Sequence, residues 1–107
     1  MAVISVPGQE PQKFRNQTLR ELCERARPWV YDEGERYLLE EAAALGALYF
    51  EPMEPSQRTS LARALIIAAR DYRDDLLRQP DLDESDRSRE EALAELPPYL
   101  GKLLPEP

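Results

Sequence analysis

The chain has no histidine and a single cysteine, Cys23, and these two scarcities remove more chemistry than any other feature of its 107 residues. Without histidine there is no zinc site of the usual His-containing kinds, no Glu-x-x-His di-iron bundle and no nucleophile activated by an imidazole base. Without a second cysteine there is no intramolecular disulfide and no Cys-rich metal site, and a reducing compartment fits best. Glycine is sparse: Gly8, Gly34, Gly46 and Gly101 are scattered, so no glycine-rich phosphate loop exists. Long apolar runs are missing too. The most apolar stretch, Ala42 to Phe50, is too short to span a bilayer, and Met1 to Val6 lacks the basic start and sustained apolar core of a secretory signal. A cytoplasmic protein without membrane attachment is the expectation.

Positive charge is in deficit. Against 21 acidic residues stand 14 basic ones, for a formal net charge of -7. General affinity for nucleic-acid backbones needs a clustered basic face, so no nucleic-acid partner is expected and a basic protein is the better electrostatic match. The charge also alternates, net positive over residues 1–30 and 56–79 and net negative over 31–55 and 80–107. In an up-and-down helical arrangement this places opposite fields side by side and disfavours wrong pairings. Single exposed pairs add only ~0 to 1 kcal/mol, so the pattern selects topology more than it stabilises.

What is present is helical periodicity in a chain long enough for one domain. Between Pro55 and Gln79, the residues Leu61, Leu65, Ala68, Tyr72 and Leu76 recur at helical spacing, with Arg58, Arg63, Arg70, Arg73 and Asp74 between them. The segments around this helix follow from punctuation. Residues 1–16 hold Pro7, Gly8 and Pro11 without a helical period and read as an extended arm, in which Ala2 to Val6 forms a short edge strand or stays disordered. A first helix over 17–27 is signalled by Thr18 and Glu21 at capping-box spacing, with Leu19, Leu22, Cys23 and Ala26 on one face, and Pro28 ends it.

A second helix over 31–50, capped by Asp32 with Glu35, carries a broad stripe from Leu38 and Leu39 to Tyr49 and Phe50. Its small residues Ala42, Ala43, Gly46 and Ala47 would admit a close neighbour. With the third helix, over 56–79, it should form a central hairpin. An acidic loop from Pro80 leads to a short helix over 88–96, capped by Ser88 with Glu91 and stopped by Pro97 and Pro98. The expected fold is all-α: an antiparallel bundle of about four helices spanning 17–96, between an N-terminal arm and a Pro/Leu-rich C-terminal tail, 97–107. The two middle helices carry more apolar surface than short flanking helices can cover, so a homodimer packed through their hairpin is expected.

Carboxylate is the metal chemistry that remains. Glu21 and Glu24 form an E-x-x-E pair on the first helix, and Asp71, Asp74 and Asp75 form a D-x-x-D-D cluster on the third. Facing each other, such groups can hold Mg²⁺, roughly as all-helical nucleotide pyrophosphohydrolases do. The plainer reading is a set of solvated carboxylates paired with Arg20, Arg25, Arg70 and Arg78, and on it no cofactor is assigned. Cys23 has arginines one turn away, as a reactive thiol would, but sits on the packing face. Trp29 and Tyr31 suit an interface anchor, and the tail residues Tyr99, Leu100, Leu103 and Leu104 either dock on the bundle or meet another chain; these six are the expected partner-binding residues. The expected function is non-enzymatic: a small acidic protein that binds itself and a partner protein through helix faces. Two alternatives stand beside it. One is an immunity- or antidote-like inhibitor whose acidic residues, Asp32 to Glu54 with Asp81 to Glu95, cover a basic surface. The other is the Mg²⁺-dependent pyrophosphohydrolase.

Overall fold

The computed structural model describes residues 1–105. In chain order its elements are β1 (Ala2–Ser5), β2 (Gln12–Phe14), α1 (Asn16–Ala26), a 3-10 turn (Arg27–Trp29), α2 (Glu33–Leu45), β3 (Ala47–Tyr49), α3 (Pro55–Leu77) and α4 (Glu84–Gly101). Four helices dominate, as the periodicity predicts. A small three-stranded sheet, ordered β2-β1-β3, corrects the all-α expectation. No helix among the described residues is long and apolar enough to cross a membrane.

The extended arm is the largest departure. β1 is the central strand, antiparallel to β2 with Val3 opposite Lys13, and parallel to β3 with Ile4 opposite Leu48. Ala2 and Ile4 are fully buried and Val6 nearly so. Two β-branched residues in a four-residue strand favour pairing, and Gly8, at φ 78, supplies the left-handed turn that returns the chain to β2. The sequence alone could not supply β3, the strand that makes β1 central, because Ala47 to Tyr49 lies inside what the apolar stripe predicts to be helix.

That strand also decides how the helices meet. α2 stops at Leu45 because Gly46 adopts φ 76, donating its N–H to the Ala42 carbonyl as a helix terminator. The glycine read as a close-approach residue is a C-cap. The chain then runs through β3 before α3, so no α2–α3 hairpin forms. α1 instead packs between α2 and α3, and α4 covers another side of α3. Leu61, Ala62, Ala64, Leu65, Ala68 and Ala69 are thereby buried within one chain, by α1 and α4 rather than by α2.

The remaining boundaries shift for local reasons. Asp32 caps α2 as predicted, accepting the Glu35 N–H at 3.0 Å. α1 begins one residue earlier than expected, at Asn16 with Arg15 at the N-cap, and Thr18 is buried in its first turn instead of capping it. α4 begins at Glu84, capped by Asp83, which accepts the Asp86 N–H at 2.8 Å. It also runs through Pro97 and Pro98, which were expected to stop it. A proline in a helix interior costs about 3 kcal/mol, yet Leu93, Leu96 and Leu100 are all fully buried on one face, and ending the helix at residue 96 would expose the last of them. Burial outweighs the broken backbone ladder.

Candidate functional surfaces and grooves

Three of the five carboxylates predicted as a metal pair converge on an arginine. Arg25 Nε donates to Glu21 Oε1 at 3.1 Å, and its Nη1 lies 2.8 Å from Asp71 Oδ2 and 2.7 Å from Asp75 Oδ2. The guanidinium also sits 4.7 Å from the centroid of the Tyr72 ring. Burial works against its charge, but the hydrogen bonds to Asp75, Glu21 and Asp71 outweigh that and hold its pKa above the ordinary value. A fixed positive charge therefore occupies the point on which these carboxylates converge, clamping α1 to α3. Glu24 lines the same groove of about 430 Å³ without joining the clamp, and Asp74 is exposed on α3. Among the described residues, no group of three or more histidine, cysteine, aspartate or glutamate side chains is spaced to hold a metal ion.

Cys23 is buried, and its thiol pKa is pushed up to about 12, first by burial and then by the charge of Glu24. At neutral pH it is a protonated packing group rather than a nucleophile. Arg20 and Arg27, one turn away, do not reverse this, since Arg20 is exposed and Arg27 Nη2 pairs with Glu40 Oε1 at 3.0 Å.

The six residues expected to bind a partner divide. Leu100 is fully buried and Tyr99 is engaged inside the fold, which is the docked alternative for this part of the tail. The Tyr99 hydroxyl accepts the Val6 N–H at 3.1 Å and lies within donating distance of the carbonyls of Ile4, at 3.1 Å, and Glu10, at 2.9 Å. It ties α4 to the β1–β2 connection. Leu103 and Leu104 are half-buried, packed against the core. Trp29 and Tyr31, by contrast, are 51% and 81% exposed.

Trp29, Tyr31 and Leu104 border one continuous strip. The only exposed stripe along the middle of α3 carries Arg63, Ile67 and Arg70. At its start, Trp29 and Tyr31 line a shallow groove of about 570 Å³ with Thr59, Ser60 and Arg63. Further along, Arg63, Ile67 and Arg70 line a second groove of about 570 Å³ with Pro97, Pro98 and Leu104. Arg63 and Arg70 form no ion pair among the described residues. In the sequence they interrupt the α3 stripe at helical spacing, which marked an outer face but could not show what borders it.

A third groove joins residues that lie far apart in the chain. Lys13 on β2, Arg15 before α1 and Arg89 on α4 line a space of about 410 Å³ together with Phe14, Thr18 and Ala92. The net positive charge of residues 1–30 was the available signal, but nothing in the sequence brings Arg89 to it. Compared with known protein families, known proteins and solved structures, the chain matches none.

Proposed function

We propose that this protein is a non-enzymatic interaction domain whose binding face is the outer strip of α3 with its two bordering grooves. Ile67 carries the reading. On a helix otherwise enclosed along its middle, it is 39% exposed, set between Arg63 and Arg70. Trp29 and Tyr31 at one end and Leu104 at the other extend the apolar surface beyond a single side chain. Tryptophan, tyrosine and arginine are the residues that most often dominate binding energy at interfaces.

Charge selects the occupant. Two arginines without carboxylate partners among the described residues, in a chain of net charge -7, favour an amphipathic partner segment with apolar anchors flanked by carboxylates. A second copy docked face to face would oppose these arginines to one another, so this surface suits a different protein better than itself. The test is selection from a displayed peptide library, repeated against Ile67→Asp. Enriched peptides with apolar anchors and flanking Asp or Glu, lost on Ile67→Asp, support the reading. Enrichment of basic peptides would favour the acidic-inhibitor alternative, and peptides indifferent to Ile67→Asp would remove this face from consideration. Light scattering that finds a dimer dissolved by Ile67→Asp would replace the partner segment with a second copy.

A further inference from the structure

The groove of about 410 Å³ lies where β2, the first turn of α1 and α4 meet. Lys13 and Arg15 reach it from one part of the chain and Arg89 from another, and no carboxylate is among the residues that line it. In a chain with 21 acidic and 14 basic residues, a groove lined by three cations and no acid is an inversion of the average surface. The cations are only partly satisfied. Arg15 donates to Ser85, but Arg89 Nη1 lies 3.8 Å from Asp86, too far for a hydrogen bond, and Arg89 Nε is buried without a partner.

A second element borders the same space. Thr18 is 3% exposed and its residue lines the groove, with its hydroxyl not among the buried atoms left without a partner. The first turn of α1 adds to this, because an 11-residue helix with no side-chain cap and no acidic residue in its first turn leaves N–H groups and the positive end of its dipole open there.

We propose that this groove binds the phosphoryl group of a small phosphomonoester. Lys13, Arg15 and Arg89 supply the countercharge, the first-turn amides supply hydrogen bonds, and Phe14 with Ala92 forms an apolar wall for the organic body. A dianion with three terminal oxygens uses this donor set more fully than a carboxylate with two. The volume falls within the roughly 300–1,000 Å³ of small-molecule sites. The site is distinct from the α3 strip and does not rest on it.

The experiment is titration of the full chain with phenyl phosphate, followed by amide NMR, with benzoate and inorganic phosphate as parallel arms. Saturable shifts centred on the amides of Asn16, Gln17 and Thr18 are expected, with phenyl phosphate bound more tightly than either comparison anion. Lys13→Glu changes an exposed side chain and should weaken binding about tenfold or more, whereas Arg70→Glu, on the outer strip of α3, should leave it unchanged. Equal binding of benzoate would overturn the phosphoryl assignment, and equal binding of inorganic phosphate would overturn the apolar wall. An absence of saturation, or equal weakening by Arg70→Glu, would overturn the site.

Discussion

Removing one oxygen, by Tyr99→Phe, tests the latch between α4 and the β1–β2 connection. The Val6 backbone N–H donates to the Tyr99 hydroxyl, and Val6 is 2% exposed, so phenylalanine leaves a buried donor with no water to replace the lost acceptor. An orphaned buried donor costs about 1–3 kcal/mol. Of the two carbonyls near the hydroxyl, that of Glu10 belongs to an exposed residue and regains water at little cost. The net loss is therefore about 2 kcal/mol, and since 1 kcal/mol moves Tm by roughly 4–8 °C in a domain of this size, Tm should fall by about 8–16 °C. Urea unfolding followed by circular dichroism should show a lower midpoint at unchanged slope, because the surface exposed on unfolding is nearly the same. Amide exchange adds a local readout: the Val6 amide should lose more protection than amides in the middle of α3 such as Leu65. If Tyr99→Phe shifts stability by less than about 0.5 kcal/mol and leaves the Val6 amide as protected as before, the latch between α4 and the β1–β2 connection is not holding the sheet, and the reasoning fails.

Three further outcomes follow from the packing. Arg25→Met keeps the apolar stem but leaves Glu21, Asp71 and Asp75 without their shared cation; the carboxylates are more than a third exposed, so after solvent screening the loss should be about 1–2 kcal/mol, measured by urea midpoint, and should shrink in 1 M NaCl. Gly46→Ala must place a Cβ at φ 76 and 3.3 Å from Asn16 Oδ1, so a destabilisation of about 1–2 kcal/mol is expected, and no change in midpoint would mean that the left-handed cap is not required. Cys23 is held protonated in the fold, with its pKa raised from 9.0 to about 12, so the unfolded chain ionises first as pH rises; its contribution is fully present below pH 9 and is lost toward pH 12. The native thiol should resist a disulfide reagent at pH 8, and Cys23→Ala should flatten the fall in stability over that alkaline window; rapid labelling of the native protein would contradict the burial.

The candidate sites were legible only where a residue acts through its own element. Trp29 and Tyr31 follow Pro28 at the end of α1, and a proline-terminated helix with exposed aromatics beyond it can be read locally. Tyr99 and Leu100 could not be, because prolines at 97 and 98 announce a helix end that the burial of Leu96 and Leu100 overrides. The basic groove was invisible for a related reason. Lys13 and Arg15 sit more than seventy positions from Arg89, and local charge counting holds no information about which termini a sheet and a helix bring together.

Amphipathic periodicity by itself determined the central part of α3 and the core faces of α1, and Asp32 determined where α2 begins, because each is set by interactions within a few residues along the chain. Tertiary structure alone decided that α1 rather than α2 packs against α3, since a single left-handed glycine diverts the chain into β3 and a parallel pairing with β1. Strand partners forty residues apart gain their hydrogen bonds only once the sheet exists, and no local pattern records them.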